Sequence, residues 1–600
     1  MMKTSKNGHE THHGFVRQAL WAEDRERVIA AGRRWVVTLF LAAGFAMLWV
    51  LPTLAQDGSK VAFTRHNLTA SGPGPIRVEG ESRVCIFCHT PHRANPVAPL
   101  WNRMDPGVHY QTYESSTLEA AVGQPTGSSR LCLSCHDGTI ALTQTYNPRN
   151  APRGTVFLSP RDSGYLGTDL SDDHPISFIY DSALAVRKGQ MRDPNTLPPE
   201  LPLDHEQRLQ CTTCHDPHDN QFGHFLRMQN DASTLCRQCH EMTDWPISVH
   251  ATSNASLLGA GFERWSKLGA HTVAEAACEA CHRPHTAGGR QRLMRLEAEE
   301  DNCFTCHDGS VADEDLRAEF LKPSTHPVMR FTGVHDPKED PSQMREHVEC
   351  SDCHNPHQIV SSGIARAPFI KPTMQGAAGV SASGITVSPA RYEYEVCYKC
   401  HGRRNIVRSP LVSRVDPSKD LSDVFSLTSF SYHPVEGQGK NINVPSLLEP
   451  YKPTSIIYCT DCHGSDDQSG TTALSGPHGS IYRPLLVREY STRDLTVESS
   501  QAYALCYGCH NRASILNNES FSEHRKHIVD ERTPCSVCHD AHGARRNENL
   551  INFDRNVVQS SRSNGQGPTF QKLGPLRGSC TLNCHGEDHQ NLRYPEGDGD

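Results

Sequence analysis

The sequence predicts a chain that is mostly irregular, with short α-helices and very little β-structure. Three observations point that way. Only 36% of the 600 residues are hydrophobic, against about 45–50% in an ordinary globular domain, so the chain is short of the side chains that build a core. It carries 44 glycines and 39 prolines, residues that favour turns and interrupt long helices and sheets. All 24 cysteines fall in twelve close pairs, and a histidine follows each pair directly. An apolar group attached at those pairs would supply the burial that the side chains lack. The formal charge of −9 argues against a nucleic-acid partner.

Eleven of the pairs read Cys-x-x-Cys-His. They are Cys85, Cys88, His89; Cys132, Cys135, His136; Cys211, Cys214, His215; Cys236, Cys239, His240; Cys278, Cys281, His282; and Cys303, Cys306, His307. The series continues with Cys350, Cys353, His354; Cys397, Cys400, His401; Cys459, Cys462, His463; Cys506, Cys509, His510; and Cys535, Cys538, His539. The twelfth, Cys580, Cys584, His585, has one more residue between its cysteines. A single Cys-x-x-Cys suits half a zinc site or a redox dithiol equally well. With 35 histidines in 600 residues, chance places one after a given pair roughly once in seventeen, and here one follows every pair. That pattern is c-type haem attachment: two thiols add across the haem vinyl groups and the adjacent histidine becomes the proximal iron ligand. About twelve haems c are expected, roughly 50 residues of chain for each. The polypeptide should then wrap a chain of stacked haems, with short helices starting near the motifs.

Residues 1–34 carry seven Lys/Arg against four Asp/Glu, and Trp35–Leu51 is an apolar run of 17. Residues 1–55 therefore read as a signal peptide with cleavage after Ala55. An uncleaved anchor is the alternative, because 17 residues is at the short limit of a membrane span. Membrane association is expected only through that segment, if it is uncleaved. The remainder is expected to be exported, to the periplasm, the outer membrane or the cell exterior. It divides into three four-haem units: residues 56–257, 258–440 and 441–600.

The motifs form six successive pairs whose first cysteines lie 47, 25, 25, 47, 47 and 45 residues apart. The first member of most pairs continues as x-Pro-His or a close variant, ending at His92, His218, His285, His357 and His542; the fifth pair offers Pro-His-Gly at His478 instead. These six are candidate sixth ligands for the second haem of each pair. Six histidines upstream of the pairs, His66, His174, His250, His326, His433 and His527, are candidates for the first. His271 competes with His250, and His524 with His527. Ligation by histidine alone is expected to give low reduction potentials, since methionine raises them.

The stretches TRHNLTASGPG, VCIFCHTPHRANPVAPLWNR, LCLSCHDGTIAL, DDHPISFIYD and CTTCHDPHDNQFGHFLRM, with VECSDCHNPH and ALCYGCHN later in the chain, resemble the doubled-CXXCH multihaem cytochromes. The resemblance covers nearly all of the exported chain. It implies covalent haem c, mainly bis-histidine ligation, closely stacked haems and electron transfer at a cell envelope. Residue by residue it carries over to the cysteines and histidine of each motif, and to His66, His92, His174 and His218. The expected partners are redox proteins of the envelope, among them other cytochromes or an outer-membrane porin. Electron transfer without substrate chemistry is the expected role. Two alternatives are kept: a reductase with one open haem, and a structural subunit of a cytochrome filament. No Cys-x-x-Cys-Lys occurs, so the unusual lysine-ligated catalytic haem of some such reductases has no counterpart here.

Overall fold

The computed structural model describes residues 58–258, 269–329, 335, 348–360, 363–403, 410–467 and 476–595. The expected signal peptide lies outside them. Among the described residues no helix is long and apolar enough to cross a membrane. Among the described residues helices are short, the longest being Gly127–His136 and Glu393–His401 at ten and nine residues. Both end on a motif histidine. Nine more motifs begin on or within a single helical turn, such as Cys211–Cys214, Cys350–Cys353 and Cys535–Cys538.

The residues between the cysteines help these turns form. The main-chain N–H of Gln210 donates to Thr213 Oγ1 at 3.0 Å, that of Glu349 to Asp352 Oδ2 at 2.9 Å, and that of Tyr458 to Asp461 Oδ2 at 2.9 Å. In each case the second x of Cys-x-x-Cys caps the turn that carries the thiols.

Strand content is small, with one concentration. Four antiparallel strands at the C-terminus, Val558–Gln559, Thr569–Gly574, Arg577–Cys584 and Glu587–Tyr594, form a sheet around Arg577–Cys584. The twelfth motif lies on that central strand. The other ladders are two residues long, for example Ser324–Thr325 with Gly479–Ser480.

Apolar packing is split into small clusters. The largest joins Val380, Tyr394, Tyr398, Phe425, Tyr432 and Val435, and another joins Phe178, Tyr180, Leu184, Ala185 and Leu209. Buried polar groups hold much of the rest. The fully buried Arg103 donates to the carbonyls of Ser134, Ala141, Leu142 and Gln144 at 2.6–3.1 Å. One guanidinium thereby ties the second motif to the loop that follows it. Two cavities of about 3570 and 3270 Å³ run through the interior, and the motif residues line them.

Candidate cofactor sites

The eleven Cys-x-x-Cys-His motifs share one local geometry. The histidine N–H donates to the carbonyl of the first cysteine, at 2.8 Å for His89 on Cys85, 2.9 Å for His215, His240, His282, His307, His463, His510 and His539, and 3.0 Å for His354 on Cys350. His136 and His401 close longer helices. Residues three apart on such a turn have Cβ atoms about 5–6 Å apart, so both thiols reach one side of a flat group while the histidine turns beneath it. The twelfth motif differs. Cys580 and Cys584 sit four residues apart on an extended strand, a span of about 13 Å. The Nε2 of His585 is within 3.0 Å of both carboxylate oxygens of Asp494. Eleven motifs fit a haem held by two thioethers and a histidine, and the twelfth does not fit one in this geometry.

Each of the eleven motif histidines faces a second imidazole, with ring centroids 6.1–6.4 Å apart. The histidine of an x-Pro-His loop reaches back to the first motif of the preceding pair: His218 faces His89, His285 faces His215, His357 faces His282, His478 faces His354 and His542 faces His463. The upstream histidines face the second motif of their own pair: His66 faces His136, His174 faces His240, His250 faces His307, His326 faces His401 and His433 faces His510.

At these ten sites the facing reverses the expectation from sequence, which gave the x-Pro-His histidines to second sites and the upstream ones to first sites; in the sixth pair an upstream histidine does face the first site. The reversal arises because each loop folds back over the pair before it. His524, not His527, faces His539, and it is His250 rather than His271 that meets His307. His527 packs on Tyr594 instead. His92 is exposed and, among the described residues, faces no motif histidine. His524 had one sequence signal, its place one helical turn before His527. Ring contacts also cross both expected unit boundaries, His250 with His307 and His433 with His510.

The two kinds of contact are built together. The loop that presents His218 also offers the Pro217 carbonyl to His66 Nδ1 at 3.1 Å. Pro356 does the same for His250 at 2.9 Å, Pro477 for His326 at 2.8 Å, and Ala541 for His433. In the second pair the Pro284 carbonyl accepts from the main-chain N–H of His174 at 2.8 Å. Each later loop is therefore a clasp that supplies one imidazole and steadies another. Motif histidines are oriented in the same way, with Nδ1 on a carbonyl: Gly164 for His136, Arg292 for His282 and Thr373 for His354, at 2.6–2.8 Å. A donated Nδ1–H leaves Nε2 as the nitrogen with a free lone pair. Burial, reinforced by the facing ring, pushes His478 and His524 down to about 3 and His307, His357, His401, His463 and His510 down to about 4. These imidazoles are neutral at pH 7.

The thiols of consecutive motifs lie within electrostatic reach of one another along the whole chain. Within pairs the second cysteines meet: Cys88 with Cys135, Cys214 with Cys239, Cys281 with Cys306, Cys353 with Cys400, Cys462 with Cys509 and Cys538 with Cys584. Between pairs the first cysteines meet: Cys132 with Cys211, Cys236 with Cys278, Cys303 with Cys350, Cys397 with Cys459 and Cys506 with Cys535. Among the described residues these neighbours follow the order of the motifs in the sequence. The two cavities meet along this series, sharing His250, Glu299, Cys303, His307, Asp352 and His354 in their walls.

At that junction lies a buried polar cluster. Glu299 Oε1 accepts from the Ser351 N–H at 2.9 Å, Lys399 Nζ donates to Asp352 Oδ1 at 2.8 Å, and His335 Nδ1 lies 2.9 Å from Asp352 Oδ2. Burial opposes the Asp352 charge, but the His335 hydrogen bond and the Lys399 charge outweigh it and hold the carboxyl below its usual range. Burial, with the Glu299 carboxyl against it, pushes Glu349 up to about 9.

Comparison with known proteins agrees with this architecture. The doubled CXXCH motif family matches residues 205–244 and 271–312, which carry the third to the sixth sites. The chain is also 25% identical over 207 residues to the multiheme cytochrome MtrA of Shewanella baltica (strain OS185), a match covering 33% of this chain and 43% of that protein. In its repeated motifs and facing imidazoles the chain is similar to multihaem c-type cytochromes built on doubled CXXCH motifs.

Proposed function

We propose that this protein carries electrons along its length, across the periplasm or the wider cell envelope, through bis-histidine haems c arranged in sequence order. The observation that carries the reading is the constant gap between facing imidazoles, 6.1–6.4 Å between centroids at eleven sites. Two metal–nitrogen bonds of about 2 Å each, plus about 1.1 Å from nitrogen to ring centre at either end, require about 6.2 Å. On this reading His89, His136, His215, His240, His282, His307, His354, His401, His463, His510 and His539 are proximal ligands. Their facing partners, in the same order, are His218, His66, His285, His174, His357, His250, His478, His326, His542, His433 and His524.

Bound haem supplies one-electron chemistry and much of the missing apolar mass. The chain sets the order of the sites, presents neutral imidazoles from both sides and lines the line of sites with apolar wall. Filling the sixth position from the protein leaves no place at iron for a substrate, which favours electron transfer over a reductase. Partners on this reading are redox proteins of the envelope, other cytochromes or an outer-membrane porin, and the eleven sites act as one conductor. The test is to reduce the purified protein and add a soluble Fe(III) chelate, then nitrite, hydroxylamine or cyanide. Rapid oxidation by the chelate with no ligand-dependent Soret shift is expected. Turnover of nitrite or hydroxylamine at 1 per second or faster, an order of magnitude typical of enzymes, would overturn it.

A further inference from the structure

Five of the motif histidines are followed by the same small turn. The residue after the histidine donates its N–H to the carbonyl of an apolar residue further on, at 2.7–3.1 Å: Thr90 to Leu100, Asp216 to Phe225, Arg283 to Leu293, Gly464 to Leu485 and Asp540 to Leu550. All five acceptors lie in the left-handed region, with φ from 51° to 59°, a conformation that bulky side chains adopt only where their surroundings hold them in it. Phe225, Leu293, Leu485 and Leu550 line the cavities, and Leu293 and Leu485 are each 9% exposed. Leu100 belongs to neither wall and is 54% exposed. The turn that elsewhere sets an apolar side chain inward presents one to the surface here.

The surroundings of Leu100 are open and basic. Val97, in the same loop, is 62% exposed, and Cys85 is exposed where the cysteines of the other ten fitting sites are all partly covered. His218, which faces His89, has 67% of its side chain exposed, against 44% for His285 and 41% for His542. Trp101 joins the loop to the site, its ring 6.0 Å from that of His89. Residues 58–165 carry ten Lys/Arg against seven Asp/Glu, in a chain whose formal charge is −9. Of those acids Glu81 is paired with Arg83 and Asp105 with Arg130. Arg93 and Arg149 are exposed and make no ion pair among the described residues. Arg93 lies in the loop itself; Arg149 is tied to it through Asn147, whose Oδ1 accepts from the Arg149 N–H at 3.3 Å and whose Nδ2 donates to the His92 carbonyl at 2.9 Å.

We propose that the Arg93–Leu100 loop, together with Arg149, is a docking surface for an acidic electron-transfer protein that exchanges electrons with the site of Cys85, Cys88 and His89. The inference rests on the electron-transfer reading above. The unpaired guanidinium groups draw an acidic partner and orient it, and Val97 and Leu100 give it apolar contact beside Trp101 and His89. One electron crosses per encounter: the iron goes from Fe(II) to Fe(III) as the partner's centre is reduced, or the reverse, and no bond is made or broken.

The experiment mixes the reduced holoprotein, by stopped flow, with two oxidised probes, an acidic plastocyanin and a basic cytochrome c. The second-order rate constant with plastocyanin should fall as salt rises. Arg93→Glu with Arg149→Glu should lower it at least about tenfold at low salt, while the rate with cytochrome c should not fall. Arg187→Glu with Arg555→Glu, the same change of charge at exposed positions elsewhere, should leave the plastocyanin rate within about twofold of the parent. Leu100→Ser keeps the charge and should still lower that rate about threefold. Equal slowing by both charge pairs would trace the effect to net charge and overturn the docking surface, as would a rate indifferent to Arg93, Arg149 and Leu100 while the probes still oxidise the protein. If neither probe oxidises the parent, electron transfer itself fails and the docking surface with it.

Discussion

Replacing His357 with alanine opens an iron two sites away from its own motif. His357 follows Cys350, Cys353 and His354 in sequence, yet its ring faces His282 at 6.2 Å and 14°. The variant should therefore free the sixth position at the Cys278–Cys281–His282 haem and leave the Cys350–Cys353–His354 haem six-coordinate, since His478 supplies the latter. His250 should also stay in place, because it is held by the main-chain carbonyl of Pro356 at 2.9 Å, which alanine preserves at the next residue. One iron among the eleven that fit amounts to about 9% of the total haem. Lost packing of the His357 ring against Trp245 costs about 1–3 kcal/mol, too little to unfold a chain stapled by thioether bonds. Quantitative electron paramagnetic resonance of the oxidised variant reads the new high-spin fraction. Adding Cys278→Ala and Cys281→Ala, which remove the haem at that motif, should abolish it. A high-spin signal that survives this, and vanishes instead with Cys350→Ala and Cys353→Ala, would refute the backward reach of the loops.

Ring orientation predicts two low-spin populations: interplanar angles are 11–40° where an x-Pro-His loop supplies the partner and 54–87° at the other six sites. The spectrum should resolve into a rhombic set and a large-gmax set of similar weight, and a single class would contradict the alternation. Intact mass should show eleven haems of about 616 Da each, with Cys580 and Cys584 open to alkylation; twelve would mean that the strand Arg577–Cys584 gives way to a turn in the holoprotein. Glu349, pushed up to about 9 from an ordinary 4.5, binds its proton more tightly folded than unfolded. Its contribution to stability is complete below about pH 4.5 and is lost as pH rises towards 9. Glu349→Gln should flatten that part of a denaturation–pH profile, and an unchanged slope would place the proton elsewhere.

Attachment was legible because it is local: cysteine spacing and the next residue specify a helical turn with two thiols and an imidazole. The scarcity of regular structure was legible too, from composition alone. What sequence did not show was which histidine meets which motif. His66 and Pro217 are 151 residues apart, and nothing in the spacing says that a loop folds back over the previous pair and not onto its own. His524 and His527 lie three residues apart on one short helical segment, and only the tertiary structure shows that His524 faces His539 while His527 lies against Tyr594. The C-terminal sheet escaped notice for a related reason. The extra residue between Cys580 and Cys584 breaks the three-residue step that a helical turn needs, and the segment pairs as a strand with Thr569–Gly574 and Glu587–Tyr594.

The central claim is a single line of haems, each held between a motif histidine and a partner from elsewhere in the chain. An experimental structure of the oxidised holoprotein tests it most directly. The account predicts iron between His89 and His218, between His136 and His66, and so on in sequence order to His539 and His524. Iron between His89 and His92, or haems branching off the order of the motifs, would contradict it.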